Sequence, residues 1–332
     1  MAVRPTNTPL LDRFGRLHTY LRVSVTDRCN FRCVYCLPED GTTWLPRDAV
    51  LRYEEIARVV RILAPMGLRR VRLTGGEPTI RRDIEGLVAA VAAVPGIEEV
   101  SMTTNAHRLA GNAHRLKAAG LTRVNISIDS MDPTRFAAIT RGGDLAAVMA
   151  GIHEAVAAGL TPVKLNMVVM RGENDDELVS MARWAATLAP AVQLRYIEYM
   201  PFAERWHQNV PAAEMRQRLE GELGTLVPVP ERQGAGPARH WRCGPLILGF
   251  IAPITEHFCA SCNRLRLLAD GHLRTCLAHE ETPSLRDVLR SGATDAEVAA
   301  LLLSIVRGKP AGHEAEAEGG TAFQGVMTQI GG

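Results

Sequence analysis

Three cysteines fall within the eight residues CNFRCVYC at 29–36, as Cys29, Cys33 and Cys36. A structural zinc takes four ligands and disulfides take pairs. Three thiolates in a C-x3-C-x2-C loop suit a cubane iron–sulfur cluster whose fourth iron lacks a protein ligand and can bind a small molecule. A zinc completed by a distant histidine is the alternative reading of the spacing. A second group of three, Cys259, Cys262 and Cys276, lies in FCASCNRLRLLADGHLRTC. Cys243 is near enough in sequence to complete four thiolates, so structural zinc stays open there. Against it, Arg264 and Arg266 alternate along a strand-like run and share one face. Two guanidinium forks beside an open iron suit a planar, acceptor-rich heterocycle.

Other residues carry weaker signals. TGGEP at 74–78 follows a strand-like run, and its glycines allow close approach of a ligand to the backbone. The chain has 38 basic residues but only three lysines, Lys117, Lys164 and Lys309. Lys164 lies on a predicted inner strand, where a buried ammonium calls for an anion. No G-x4-G-K-[ST] loop is present, so phosphoryl transfer on a P-loop is not expected. The sequence ends in Gly331–Gly332, a pair suited to threading a narrow space.

The elements that must position these groups alternate. Strand-like runs are LRVSVT (21–26), RVRLTG (70–75), EVSMTT (99–104), RVNISI (123–128), VKLNMVV (163–169) and VQLRYI (192–197). Between them lie amphipathic helical patterns such as YEEIARVVRILAPM, DIEGLVAAVAAV, LAAVMAGIHEAVAAG and DDELVSMARWAATL. Asp83 and Asp175 stand where N-caps belong, Gly67 and Gly159 where helices stop. Six such units in roughly 200 residues predict a parallel sheet curved into an incomplete barrel, since a full (βα)8 barrel takes about 250 residues. The cysteine loop follows the first strand, on the active face of such barrels. VPVPERQGAGPARH at 227–240 reads as a loop or linker. LRDVLRSG and AEVAALLLSIVRG read as helices, and residues 309–332 as an extended tail.

Composition is that of a soluble globular protein, with 46% hydrophobic and 22% charged residues among 332. A net charge of +2 gives no global field to recruit nucleic acid or membrane. The longest apolar runs, LVAAVAAV and PLILGFIAPI, are too short to span a bilayer, and no secretory signal pattern opens the sequence. The expected location is the cytoplasm, where seven cysteines argue for metal or catalysis over disulfides.

CNFRCVYC with Tyr35, followed on the next βα loop by TGGEP, resembles the signature of the radical S-adenosylmethionine (SAM) superfamily. DRFGRLHTYLRVSVTDRCNFRCVYC, VRLTGGEPTIRRD, TTN, RVNISIDS, VKLNMVVMRGENDDE, LRYIEYM, FCASCNRLRL and the final IGG together resemble the GTP 3′,8-cyclases, the molybdenum cofactor biosynthesis protein A family. The resemblance implies an incomplete (βα)6 TIM-type barrel closed by a C-terminal segment, with residues 1–240 carrying one [4Fe-4S] cluster on Cys29, Cys33 and Cys36. Residues 241–332 would carry a second on Cys259, Cys262 and Cys276. It implies SAM contacts at Tyr35, Gly76, Ser127 and Met200. GTP contacts are implied at Arg22, Arg72, Thr103, Lys164, Arg264 and Arg266, with Arg195 beside the phosphates, and a catalytic role for the Gly331–Gly332 tail.

The implied reaction is reduction of SAM, hydrogen abstraction from C3′ of GTP and attack of that carbon on C8. The product is (8S)-3′,8-cyclo-7,8-dihydroguanosine 5′-triphosphate, the first step of molybdenum cofactor biosynthesis. Implied partners are a flavodoxin- or ferredoxin-type electron donor and a downstream cyclic pyranopterin monophosphate synthase, with the enzyme a monomer or homodimer. Rival readings are another radical SAM maturase with an auxiliary cluster, and a non-enzymatic iron–sulfur or zinc sensor. The sequence departs from the family's usual pattern at Ala106–His107, where glycine and an aromatic residue are common, at Arg70, and in possessing Cys243.

Overall fold

The computed structural model describes residues 8–200, 208–230, 236–277, 282–312 and 327–329. Six strands alternate with helices as expected: β1 (Tyr20–Ser24), β2 (Arg70–Thr74), β3 (Glu99–Thr104), β4 (Arg123–Ser127), β5 (Val163–Val169) and β6 (Val192–Glu198). Each pairs in parallel with the next. The helices are α1 (Tyr53–Leu63), α2 (Ile84–Ala92), α3 (Ala113–Ala118), α4 (Pro133–Thr140), α5 (Leu145–Ala157) and α6 (Leu178–Thr187). The later chain gives α7 (Ala212–Leu223), β7 (Val227–Val229), β8 (Arg239–Cys243), β9 (Leu246–Ile251), β10 (Arg264–Leu267), β11 (Leu273–Arg274), α8 (Leu285–Arg290) and α9 (Asp295–Arg307).

Those later strands extend the sheet at both margins. β9 lies parallel to β6, and β10 lies parallel to β1, giving the order β11-β10-β1-β2-β3-β4-β5-β6-β9-β8-β7. Among the described residues β9 and β10 do not pair, so hydrogen bonding does not close the barrel. The segment from Ala252 to Asn263 runs from one margin to the other across the opening. It carries Cys259 and Cys262.

The period-two pattern of each strand separates two interiors. On β5, Val163, Leu165, Met167 and Val169 are fully buried in the apolar layer beneath the helices. Lys164 and Asn166 alternate with them and face the sheet's concave side. β1 does the same with Leu21 and Val23 against Tyr20 and Arg22. The layer between sheet and helices is therefore hydrocarbon, and the space inside the curve is polar.

Several local expectations need correction. Asp175 does not cap α6; it opens a 3-10 turn capped by Asn174, and the α-helix begins at Leu178. Asp83 precedes α2, but in the left-handed region and without a side-chain capping bond. Gly67 and Gly159 do end helical segments, at φ 110° and 70°. VPVPERQGAGPARH is not wholly loop, since it begins with β7 and ends in β8. β7 is the outermost strand, where a proline's missing N–H costs no ladder bond.

Glu198 ties the barrel to its C-terminal complement. It is 1% exposed at the end of β6. Its carboxylate accepts from the amides of Ala212 (2.9 Å), at the start of α7, and of Ile254 and Thr255 (both 3.1 Å), in the crossing segment. Replacing it by alanine orphans three amides, each worth about 1–3 kcal/mol when buried. Glu198→Ala should lower the unfolding free energy by about 3 kcal/mol or more in a denaturant titration.

Candidate functional site

The first cysteine loop rests on the TGGEP turn. The Gly76 amide donates to the Thr26 carbonyl (2.7 Å) and the Glu77 amide to the Arg28 carbonyl (2.8 Å). A Cβ at Gly76 would stand 2.0 Å from the Arg28 carbonyl oxygen, so packing alone requires glycine here. Glu77 is 1% exposed and secures the turn from below. It accepts from the Thr79 amide (3.0 Å), Thr104 Oγ1 (2.7 Å) and the Asn105 amide (2.7 Å). Burial still raises its pKa against those bonds. On the other side, Tyr35 donates to Asp129 Oδ2 (2.7 Å), and Asp129 Oδ1 accepts from the Val168 amide (2.9 Å). Burial lifts the Asp129 carboxyl to about 6.

Burial pushes the Cys29 thiol up to about 11 and Cys36 to about 12, and raises Cys33 well above its ordinary value. The neighbouring cysteines add to the rise at Cys33 and Cys36 by mutual repulsion of their thiolates. As thiolates the three therefore demand a compact source of positive charge.

A cavity of about 310 Å3 opens above this loop and extends to the second triad. Both groups of three cysteines line it. Tyr35, Gly76, Ser127 and Met200 line its first end; Thr103 lines its side; Arg22, Arg72, Arg264 and Arg266 line the wall toward the second end. Register aligns Arg22 with Arg72 on one side and Arg266 on the other. Lys164 is not on the lining. It is 4% exposed, one strand step before Asn166, which does line the cavity. Arg195 lines it too.

This wall concentrates positive charge. Burial and repulsion from Arg266, among others, lower the Arg22 pKa well below its usual value. Arg195 falls to about 9, through burial and then Arg72 and Arg123; Lys164 falls to about 6, through burial and then Arg195, Arg123 and Arg72. Polar neighbours hold the fan open. Arg195 Nε donates to Asn166 Oδ1 (2.8 Å). Asn125, with its amide oxygen turned toward the guanidiniums, accepts from Arg195 Nη2 (3.1 Å) and Arg72 Nη1. Arg22 Nε, Arg266 Nε, Thr103 Oγ1 and the Tyr20 hydroxyl are buried with no hydrogen-bond partner among the described residues. Such donors among buried cations await an anionic, oxygen-rich ligand.

At the second triad, burial alone would raise the Cys262 thiol. Arg264 and Lys309 outweigh it and bring it down to about 6. Cys243 does not join this group. It ends β8, 3.8 Å from the Leu223 carbonyl, and does not line the cavity. Among the described residues no three His, Cys, Asp or Glu side chains converge as the ligands of a single ion do. Gly331 and Gly332 lie outside the described residues. Met327 and Thr328 do reach the cavity, where the Thr328 amide donates to Cys36.

Sequence reasoning missed Asp129, Asn125 and Asn166. Each was within reach of it. Asn125 precedes Ser127 by two residues and Asn166 follows Lys164 by two, so strand periodicity puts each on its neighbour's face. Asp129 is the next-to-last residue of the quoted RVNISIDS segment.

Residues 23–185 match the Radical SAM superfamily and residues 192–315 match Molybdenum Cofactor Synthesis C. The GTP 3′,8-cyclase of Pelotomaculum thermopropionicum is 46% identical over 327 residues, 97% of this chain and 99% of that protein. That of Heliobacterium modesticaldum is 47% identical over 329 residues, covering 97% and 100%. In solved structures, Streptococcus suis SuiB bound to S-adenosylmethionine superposes with a TM-score of 0.59 at 14% identity. That match covers 83% of this chain and 65% of SuiB, a likeness of fold.

Two predictions follow from the geometry. Gly76→Ala forces backbone apart beneath the cysteine loop. It should cost about 3 kcal/mol or more, at the upper end of overpacking penalties, read as a lowered unfolding midpoint. Burial and nearby cations, Lys309 for His18 and Lys164 for His240, hold both histidines at about 4, against an ordinary 6.5. The unfolded chain therefore takes up these protons first. Their contribution is intact above pH 6.5 and is lost as pH falls toward 4, so denaturant midpoints should decline across that window and His240→Gln should flatten part of the decline.

Proposed function

The chain belongs to the GTP 3′,8-cyclase family of the radical SAM superfamily, and on that premise we propose that its cavity converts GTP to (8S)-3′,8-cyclo-7,8-dihydroguanosine 5′-triphosphate. The observation that carries the proposal is one continuous cavity with a cysteine triad at each end and a guanidinium wall between. Cys29, Cys33 and Cys36 would hold one [4Fe-4S] cluster, and Cys259, Cys262 and Cys276 the other. The donor sets suit them: buried, mutually repelling thiols at one end, and at the other a thiol already drawn toward thiolate by cations. Bound there, the clusters and SAM supply one-electron cleavage of SAM and a 5′-deoxyadenosyl radical.

The protein's own groups bind, orient and exclude. Tyr35, braced by Asp129, and the Gly76 backbone, Ser127 and Met200 would seat SAM against the first triad. Arg22, Arg72, Thr103 and Arg195 would take the triphosphate, with Lys164 adding positive charge from the layer beneath. A triphosphate of about four negative charges would offset the mutual repulsion of that wall. Arg264 and Arg266 would fix the purine at the second triad. Holding C3′ toward the first triad and the purine toward the second leaves the radical one direction of attack, which is the service a fixed near-attack geometry provides. Met327 and Thr328 would help keep water and stray hydrogen donors out, and a catalytic role for Gly331–Gly332 remains what the family resemblance implies.

In this reading residues 1–240 serve the SAM-side cluster and residues 241–332 the second cluster and the tail. An electron donor of flavodoxin or ferredoxin type, a downstream cyclic pyranopterin monophosphate synthase, a cytoplasmic location and a monomer or homodimer complete the proposal. Among the described residues no helix is long and apolar enough to cross a membrane.

The test is an anaerobic reaction of reconstituted protein with dithionite, SAM and GTP deuterated at C3′. Deuterium should pass to 5′-deoxyadenosine as GTP is consumed. SAM cleavage without deuterium transfer or GTP loss would overturn the substrate. Arg266→Ala should reduce kcat/KM for GTP by about 10- to 150-fold, the cost of one charge-assisted hydrogen bond, with iron content unchanged.

A further inference from the structure

The wall of the second triad has a support that the reaction just described does not use. Lys309 follows α9 directly and is 2% exposed. Its ammonium donates to the Arg264 carbonyl (2.8 Å) and to Cys262 Sγ (3.5 Å). The backbone on either side of this contact is clamped. Arg16 donates through Nη2 to the Pro310 carbonyl (2.5 Å) and through Nη1 to the carbonyls of Ala311 (2.8 Å) and Cys259 (2.9 Å). Arg16 is itself held by Asp12, whose Oδ2 accepts from Arg16 Nε (2.6 Å) and lies 3.0 Å from His18 Nε2. Gly312 packs on Cys259, where a Cβ would come 3.5 Å from Sγ. One hydrogen-bonded assembly thus joins residues 12–18, the Cys259–Cys262 turn and the root of the C-terminal tail.

We propose that Lys309 is a positioning and tuning residue for the metal centre on Cys259, Cys262 and Cys276, acting through the Cys262 sulfur and the Arg264 backbone. The proposal rests on the reading that this triad holds an iron–sulfur cluster. Burying an ammonium is costly, and a neutral side chain of similar length would fill the same space. An ammonium aimed at a sulfur ligand has a specific effect. A cationic donor stabilises the more negative, reduced form of a cluster and raises its reduction potential. The same ammonium fixes the carbonyl of the residue whose guanidinium lines the substrate wall, so electron affinity and purine geometry are set by one group.

The test isolates the second centre in full-length protein bearing Cys29→Ser, Cys33→Ser and Cys36→Ser. Iron content and the electron paramagnetic resonance signal of the reduced protein are followed in a redox titration. In that background, Lys309→Met should move the midpoint to more negative potential. Lys309→Gln, which keeps a neutral donor, should fall between Met and the parent. In the chain with both cysteine triads intact, Lys309→Met should leave the first centre's midpoint in place and raise KM for GTP severalfold. An unchanged midpoint in either variant at full iron loading overturns the proposal, since a merely structural lysine would lower occupancy without moving the potential. If Lys309→Met does not assemble, the glutamine variant decides alone. Absence of any cluster from the parent background would overturn the underlying reading, and the proposal with it.

Discussion

Buried positive charge is the constraint on which the rest of this protein depends. Arg22, Arg72, Arg195 and Arg266 occupy one concave wall, with Lys164 a layer beneath, and burial and neighbouring guanidiniums lower the proton affinity of each. Removing such groups from water is expensive unless something of opposite charge meets them. Glu99 serves Arg123 at the base, and Asn125, Asn166 and Ser101 provide dipoles. The fold therefore spends stability to keep a highly anionic ligand in demand. That demand explains why the arginines of this wall face the concave side while the convex side is mainly hydrocarbon.

The two cysteine triads sit at opposite ends of that wall for a topological reason. Strand-end loops gather at the carboxyl edge of a parallel sheet. The first triad uses the loop after β1; the second takes Cys259 and Cys262 from the segment that crosses the barrel's opening and Cys276 from the bend after β11. Among the described residues β9 and β10 stay unpaired, so the segment between them can cross the opening and carry Cys259 and Cys262. Glu198 fixes the start of that segment, and Arg16 and Lys309 fix its end.

Much of this was legible in the sequence. All six central strands were, because each is a compact β-branched run bounded by polar or small residues. The cavity residues Tyr35, Gly76, Ser127, Arg22, Arg72, Arg264 and Arg266 were legible through motif and alternation. Lys164 lies on β5 facing the concave side, buried and off the cavity lining. The margins were not legible. β7 is three residues with a proline, and β11 is two residues, too short for any period to register. Asn174 takes the N-cap position ahead of Asp175 without a side-chain capping bond, its amide bridging the Met170 amide and the Asp129 carbonyl, a tertiary demand invisible locally. Ala106 adopts φ 61°, a left-handed conformation in which glycine is at ease. The alanine keeps the turn that the family's glycine would make, at some local strain.

The pairing of β10 with β1 has a consequence for how the molecule is made. Tyr20 lies beside Arg264 in the sheet, so the first strand waits for a partner some 240 residues downstream. At ordinary synthesis rates that interval is about 10–50 s. β6 waits similarly, though more briefly, for β9. Until then the nascent six-stranded sheet has two bare edges and an interior lined with cations, a combination that invites edge pairing while repelling collapse. The late strands are thus the chain's own edge protection, and a message truncated before residue 246 would release a sheet with both edges open.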